Sequence, residues 1–192
     1  MKRILIALFL VFSLLICLTG CPEKIIENPE FAKFNEMFAN GFENYTITVV
    51  TSSYNDDFLN DTYHVTTVDG VTYVTYKVEK LNEFIIEGDT ITIPEGYKTV
   101  TEGVYNSNTD AEIVDSYKVP AFNFSYACIF NETITDSTFV ATIHSLNGFM
   151  GLDLEATDAT VRVQFEGTTP TSVVISYYTV EENSVIITYT FN

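Results

Sequence analysis

Tyr63-His64-Val65-Thr66-Thr67-Val68-Asp69-Gly70-Val71-Thr72-Tyr73-Val74-Thr75-Tyr76 is the stretch on which the fold turns. Asp-Gly between two alternating runs is a strong hairpin signature, because both central residues of the tight two-residue turn need positive φ. The turn sets the register: Val68 faces Val71, Val65 faces Val74 and Tyr63 faces Tyr76. Tyr63, Val65, Val74, Tyr76 and Val78 then share one face. His64, Thr66, Tyr73, Thr75 and Lys77 share the other. One apolar face and one mixed face is the pattern of an antiparallel sheet with a solvated side.

The pattern continues outward in both directions. Downstream, Gly88-Asp89 is placed to turn a second hairpin, pairing Ile86 with Ile91 and Phe84 with Ile93. Pro94 and Gly96 break the run, and 97–105 reads as another strand before a loop over 106–110. Phe122, Phe124, Tyr126 and Cys128 alternate, which reads as a strand over 122–128. A strand is expected over 139–143, and a loop or single helical turn over 146–152. Val161, Val163 and Phe165 alternate with Arg162, Gln164 and Glu166. After a turn at 167–170, segments 173–180 and 185–191 form a last hairpin around Glu181-Glu182-Asn183, with a two- or three-residue loop both open. Upstream, Tyr45, Ile47 and Val49 alternate with Thr46 and Thr48, a strand by period.

Before that strand the period changes to three and four. Phe31, Phe34, Phe38 and Phe42 share one helical face. Asn28 can accept from the free N–H groups of the first turn, Pro29 suits the first helical position, and Gly41 is placed to end the helix. The fold class expected is mainly β (α+β): a curved antiparallel sheet or half-barrel with an N-terminal amphipathic helix packed on it.

The composition agrees. The chain has 15 Phe, 12 Tyr and no Trp among 192 residues, and aromatic and β-branched side chains suit pleated, half-buried surfaces. It carries 9 basic and 26 acidic side chains, a net charge of −17. So acidic a chain repels phosphate backbones, which excludes nucleic acid as a partner. No histidine pair has metal-ligand spacing, no CxxC pair occurs, and neither a nucleophile elbow nor a phosphate loop is present. No metal, cofactor or catalytic set is therefore expected, and the chain reads as a non-enzyme. His64 and His144 read as sheet residues and Cys128 as a buried thiol. The acidic groups Asp56, Asp57, Asp61 and Asp153, Glu155, Asp158 read as solvated loops, since neither has the spacing of a calcium loop.

The first 21 residues have a character of their own. Lys2 and Arg3 precede an apolar run over 4–18, too short for a membrane span of about 20 residues. Such a start reads as a secretory signal. Leu18-Thr19-Gly20-Cys21 follows, and it resembles the lipobox of bacterial lipoproteins. The resemblance implies cleavage before Cys21, lipid attachment (palmitate among the acyl chains) at Cys21, and a cell-membrane location on the extracytoplasmic side of the cell envelope. Two acyl chains give stable anchoring where one gives only marginal binding. The expected organisation is a signal peptide over 1–20, a lipidated tether over 21–28 and one sheet domain over 29–192.

The order of elements, a helix followed by a long antiparallel run, is similar to that of the LolA/LppX group of lipid-carrying envelope proteins. That resemblance implies a helix-lidded apolar cavity holding a lipid or another hydrophobic ligand. Phe34, Phe38, Tyr63, Val65, Val74, Tyr76, Phe84, Ile86 and Ile91 are the candidate lining residues. The same residues also serve as plain core, which a helix on a sheet requires merely to fold. The alternative is a surface protein-interaction or assembly module, with an envelope protein as partner and no small-molecule ligand.

Overall fold

A computed structural model describes residues 28–52, 58–81, 85–87, 90–92 and 98–192. Residues 1–27 with Cys21, Phe84 and its expected partner Ile93, and the Gly88-Asp89 turn lie outside the described residues, as do Asp56 and Asp57.

Helix α1 (Pro29–Phe38) starts as its sequence predicts: the Asn28 side chain accepts from the Glu30 amide at 3.0 Å, with Pro29 at the first position. It ends earlier than the phenylalanine stripe. Gly41 turns the chain at φ 68°, and Phe42 lies beyond the helix, its ring 5.9 Å from Phe38 and 4.0 Å from Phe191.

Nine strands form one antiparallel sheet: β1 (Asn44–Ser52), β2 (Phe58–Val68), β3 (Val71–Leu81), β6 (Lys98–Asn106), β7 (Ile129–Ile134), β8 (Thr138–Ile143), β9 (Ala156–Glu166), β10 (Thr169–Thr179) and β11 (Ser184–Phe191). Strands β4 (Ile85–Glu87) and β5 (Thr90–Thr92) form a separate hairpin, with Ile86 opposite Ile91 as expected. Across the large sheet the order is β6–β3–β2–β1–β11–β10–β9–β8–β7. Two meanders, one at each end of the chain, are thus joined by the first and last strands. Tyr45 pairs with Phe191 at one end of that seam and Ser52 with Ser184 at the other.

The sheet is curved and unclosed, with β6 and β7 as its outermost strands. Register shifts interrupt the β9–β10 ladder between Pro170 and Ser172 and again between Ser176 and Tyr178. Such bulges bend a strand and increase its twist. Asp69 and Gly70 take φ 51° and 78°, and the register of their hairpin is the one read from sequence. The last hairpin closes with Thr179 donating to the Asn183 carbonyl, so three residues form its loop. Glu182 takes φ 61°, as the common three-residue loop requires.

One expectation is overturned. Residues 122–128 are not a strand; the chain there is irregular and ends in a turn. The backbone of Phe124 is paired by a side chain instead: its amide donates to Asn35 Oδ1 at 2.9 Å, and its carbonyl accepts from Asn35 Nδ2 at 3.1 Å. The Asn123 amide donates to the Phe149 carbonyl. With its polar groups satisfied from α1, the segment needs no ladder, and Phe122 and Phe124 both turn into the core.

Two short helices complete the cover. Helix α2 (Ala111–Asp115) buries Val114, and α3 (Leu146–Met150) buries Leu146 and Phe149 and ends at Gly151 with φ 74°.

Candidate functional site

The concave face divides into two halves. Over β8, β9 and β11, α1 packs directly onto the sheet. Phe34 is fully buried, its ring centroid 4.7 Å from Phe139, 5.3 Å from Phe124 and 5.4 Å from Phe165. Phe38 stands 5.0 Å from Phe122 and 6.0 Å from Phe191. These rings meet at tilted or edge-on angles, the arrangement their quadrupoles favour. Two of the predicted lining residues, Phe34 and Phe38, therefore belong to a close-packed aromatic core.

The other half, over β1, β2, β3 and β6, is where the remaining described candidates meet. The register puts Tyr45, Ile47 and Val49 of β1 on the same face as Val65, Tyr63 and Asp61 of β2. Those in turn face Val74, Tyr76 and Val78 of β3. Val65 and Val74 are buried, whereas Tyr63, Tyr76, Val49 and Val78 are half-buried. Among the described residues none of the ring contacts of α1 reaches β2, β3 or β6. This wing is covered instead by Tyr117, just past α2. Its ring lies 4.5 Å from Tyr63, and its carbonyl accepts from the Tyr45 hydroxyl at 3.0 Å.

Tyr76 leans toward β6. It faces Gly103 across the ladder, and a Cβ at that position would sit 2.6 Å from the Tyr76 Cζ. Glycine thus makes room for the tyrosine ring, which stacks on Tyr105 at 4.8 Å and 20°. Tyr105 and Tyr117 were not singled out by sequence reasoning. Tyr105 ends a predicted strand and was legible as an aromatic there. Tyr117 sits in a stretch without period and carried no signal.

Asp61 is the polar member of the wing. Although grouped by sequence with a solvated acidic loop, it lies within β2 on the inner face, between Val49 and Val78. Its Oδ2 accepts from the Tyr63 hydroxyl at 3.2 Å, while its Oδ1 is shut off from solvent without a hydrogen-bond partner. An oxygen left so costs about 1–3 kcal/mol. Burial pushes the Asp61 carboxyl above its usual range, and the Tyr63 hydroxyl is held high by burial and by the neighbouring Asp61. Asn60 Oδ1, on the other face, is likewise buried and unpaired.

The convex face is richer in hydroxyls. His64 Nδ1 lies 3.0 Å from Thr46 Oγ1, and Thr160 bonds Ser176 at 2.8 Å. A shallow cleft of about 470 Å³ at the β3–β6 edge is lined by His64, Thr75, Lys77, Glu102 and Val104, and by Tyr76 and Gly103 as well. Its lysine is engaged by Glu79 at 2.8 Å, which also raises the Lys77 pKa. A smaller cleft of about 290 Å³ lies at His144, Ser145, Leu154 and Glu155. His144 Nε2 is 2.7 Å from the Ala127 carbonyl, and Ser145 caps α3 by accepting from Gly148. Both polar groups are thus held by structural contacts.

Asp153 accepts from Asn147 at 3.1 Å. Among the described residues no group of three or more His, Cys, Asp or Glu is placed to hold a metal ion, and no helix is long and apolar enough to cross a membrane. Cys128 is free and buried. Ile86 and Ile91 pair within the small hairpin. Comparison with protein-family models, with curated proteins and with solved structures yields no match to this chain.

Proposed function

We propose that this protein is a lipid-anchored extracytoplasmic lipoprotein whose curved sheet binds a hydrophobic or amphipathic molecule on the inner face of β1, β2, β3 and β6. The anchor rests on the Leu18-Thr19-Gly20-Cys21 motif behind a short apolar run. The ligand reading is carried by one observation: on the inner face of that wing Val49, Tyr63, Tyr76, Val78 and Tyr105 stay half-buried, and among the described residues no ring of α1 contacts β2, β3 or β6. Ligand sites are concave and mostly apolar, with a few convergent polar groups. Tyr63, Tyr76, Tyr105 and Asp61 supply that mixture.

The test is native mass spectrometry of the gently purified chain from residue 22 onward, followed by solvent extraction. An added mass that extracts as an apolar compound is expected. A bare mass that stays unchanged after incubation with membrane lipids overturns the ligand reading. Labelled palmitate should enter the full chain in a bacterial host and fail to enter Cys21→Ala. Equal labelling of both removes the anchor.

A second reading has its own observation. Tyr73, Val100 and Val104 are 41%, 46% and 59% exposed on the convex face at the β3–β6 edge. Exposed apolar groups grouped in this way favour docking of another envelope protein. Crosslinking at Tyr73 in intact cells would capture such a partner.

A further inference from the structure

We propose that the ligand of this wing is an organic cation: an apolar molecule whose ammonium head pairs with Asp61 beside the Tyr63–Tyr117 ring pair. This inference rests on the inner-face ligand reading above and names the chemistry of the head group.

Three independent observations lead to it. The first is the unpaired oxygen. Asp61 Oδ1 has no partner, and the residues opposite it on both neighbouring strands are Val49 and Val78. Among the described residues no cationic side chain pairs with it. The described ion pairs lie elsewhere, Lys77 with Glu79 and Lys118 with Asp115. An ammonium N–H supplies both the missing hydrogen bond and the missing charge.

The second is the aromatic setting. Tyr63 and Tyr117 lie 4.5 Å apart and Tyr76 and Tyr105 lie 4.8 Å apart, with Tyr63 and Tyr76 directly opposite each other across the β2–β3 ladder. The ring that reaches the carboxylate is Tyr63, bonded to Asp61 through its hydroxyl and packed against Tyr117, and the Tyr76–Tyr105 pair lies farther along the same face. Such electron-rich rings suit a cation, because a ring face attracts positive charge.

The third is the field of the whole molecule. With 26 acidic and 9 basic side chains, the chain draws cations toward it and repels carboxylate and phosphate head groups. An anionic head would add a like charge beside Asp61. A neutral hydroxyl would satisfy the hydrogen bond but leave the charge unmatched.

The experiment uses the chain from residue 22 onward, which contains the whole described fold starting at Asn28. The neutral fluorescent probe N-phenyl-1-naphthylamine is bound first, then displaced by decylammonium, decanol or decanoate below their micelle concentrations. Decylammonium is expected to displace the probe at about tenfold lower concentration than decanol, the size of one charge-assisted contact, and decanoate to be weakest. Asp61→Asn should abolish that preference, while Glu102→Gln on the convex face keeps it and so controls for general charge. Asp61→Leu, which fits between the two valines, serves if the amide variant fails to fold by circular dichroism. Absence of probe binding overturns the ligand reading itself. Probe binding with equal displacement by all three amphiphiles, or a cation preference that survives in the Asp61 variants, overturns the cation inference alone.

Discussion

Replacing Phe34 by alanine tests how α1 is held. The ring is fully buried and lies within 5.4 Å, centroid to centroid, of Phe124, Phe139 and Phe165. These partners come from the 122–128 segment, β8 and β9, so three separate parts of the chain lose contact at once. Truncating a buried phenylalanine costs about 3–5 kcal/mol, the transfer of the ring plus the cavity left behind. The upper part of that range applies here, because the neighbouring rings are themselves pinned. Phe124 is held through its backbone by Asn35, one residue along from Phe34 on the same helix. At this chain length such a loss lowers the melting temperature by about 8–20 °C. Phe42→Ala provides the contrast: Phe42 is half-buried, lies beyond the helix and stacks chiefly on Phe191. It should cost about 1–2 kcal/mol, as a partly exposed ring does. Urea unfolding followed by tyrosine fluorescence and by circular dichroism measures both variants. A loss below about 1.5 kcal/mol for Phe34→Ala, or one equal to that of Phe42→Ala, would refute the claim that α1 is clamped by a close-packed ring cluster.

Three further predictions concern the wing and Glu132, whose Oε1 accepts from the Asn28 side chain at the start of α1 at 3.4 Å. Gly103→Val should displace the Tyr76 ring from its place over the edge strand and cost about 1–3 kcal/mol, whereas Thr101→Val, on the same face of β6, should be close to neutral. Equal effects in thermal melts would show that Gly103 is not there for the tyrosine. The pH dependence separates two carboxylates. Burial raises the Asp61 pKa above its ordinary 3.8, so the folded chain holds that proton more tightly than the unfolded one. The associated stability is present below 3.8 and is lost as pH rises through the folded value. Asp61→Asn should therefore be more stable than the parent at neutral pH, with the difference vanishing in acid. Glu132 has the opposite sign. The Tyr126 hydroxyl, donating at 2.6 Å, holds its pKa below the ordinary 4.5, and that contribution is lost as pH falls through the folded value. Tyr126→Phe should weaken the protein above that range and not below it. Stability curves that stay parallel from pH 3 to 7 would refute both assignments.

The sequence by itself determined the local elements. Asp69-Gly70 dictates a two-residue turn, and a two-residue turn leaves one register, so the pairing of Tyr63 with Tyr76 and the face they share were readable directly. Asn28-Pro29 and the phenylalanine spacing likewise defined α1, because caps and amphipathic stripes act within one or two turns of helix. The mainly β class followed from period-two alternation repeated along the chain. The candidate site was only half legible. Phe34 and Phe38 carry the same apolar signal as Tyr63 and Val65, and nothing local says that the first pair meets a wall of rings while the second faces a half-covered wing. Asp61 reads as one more acid near a loop until β1 and β3 place valines on either side of it. Tertiary structure alone decided that the first and last strands meet at the centre of the sheet. It also decided that 122–128 is no strand, since Asn35, 89 residues away, pairs the backbone of Phe124. Turns and caps are set by neighbours in the chain; partners across a sheet or beneath a helix are set by which long-range arrangement buries the most apolar surface while leaving the fewest polar groups unpaired.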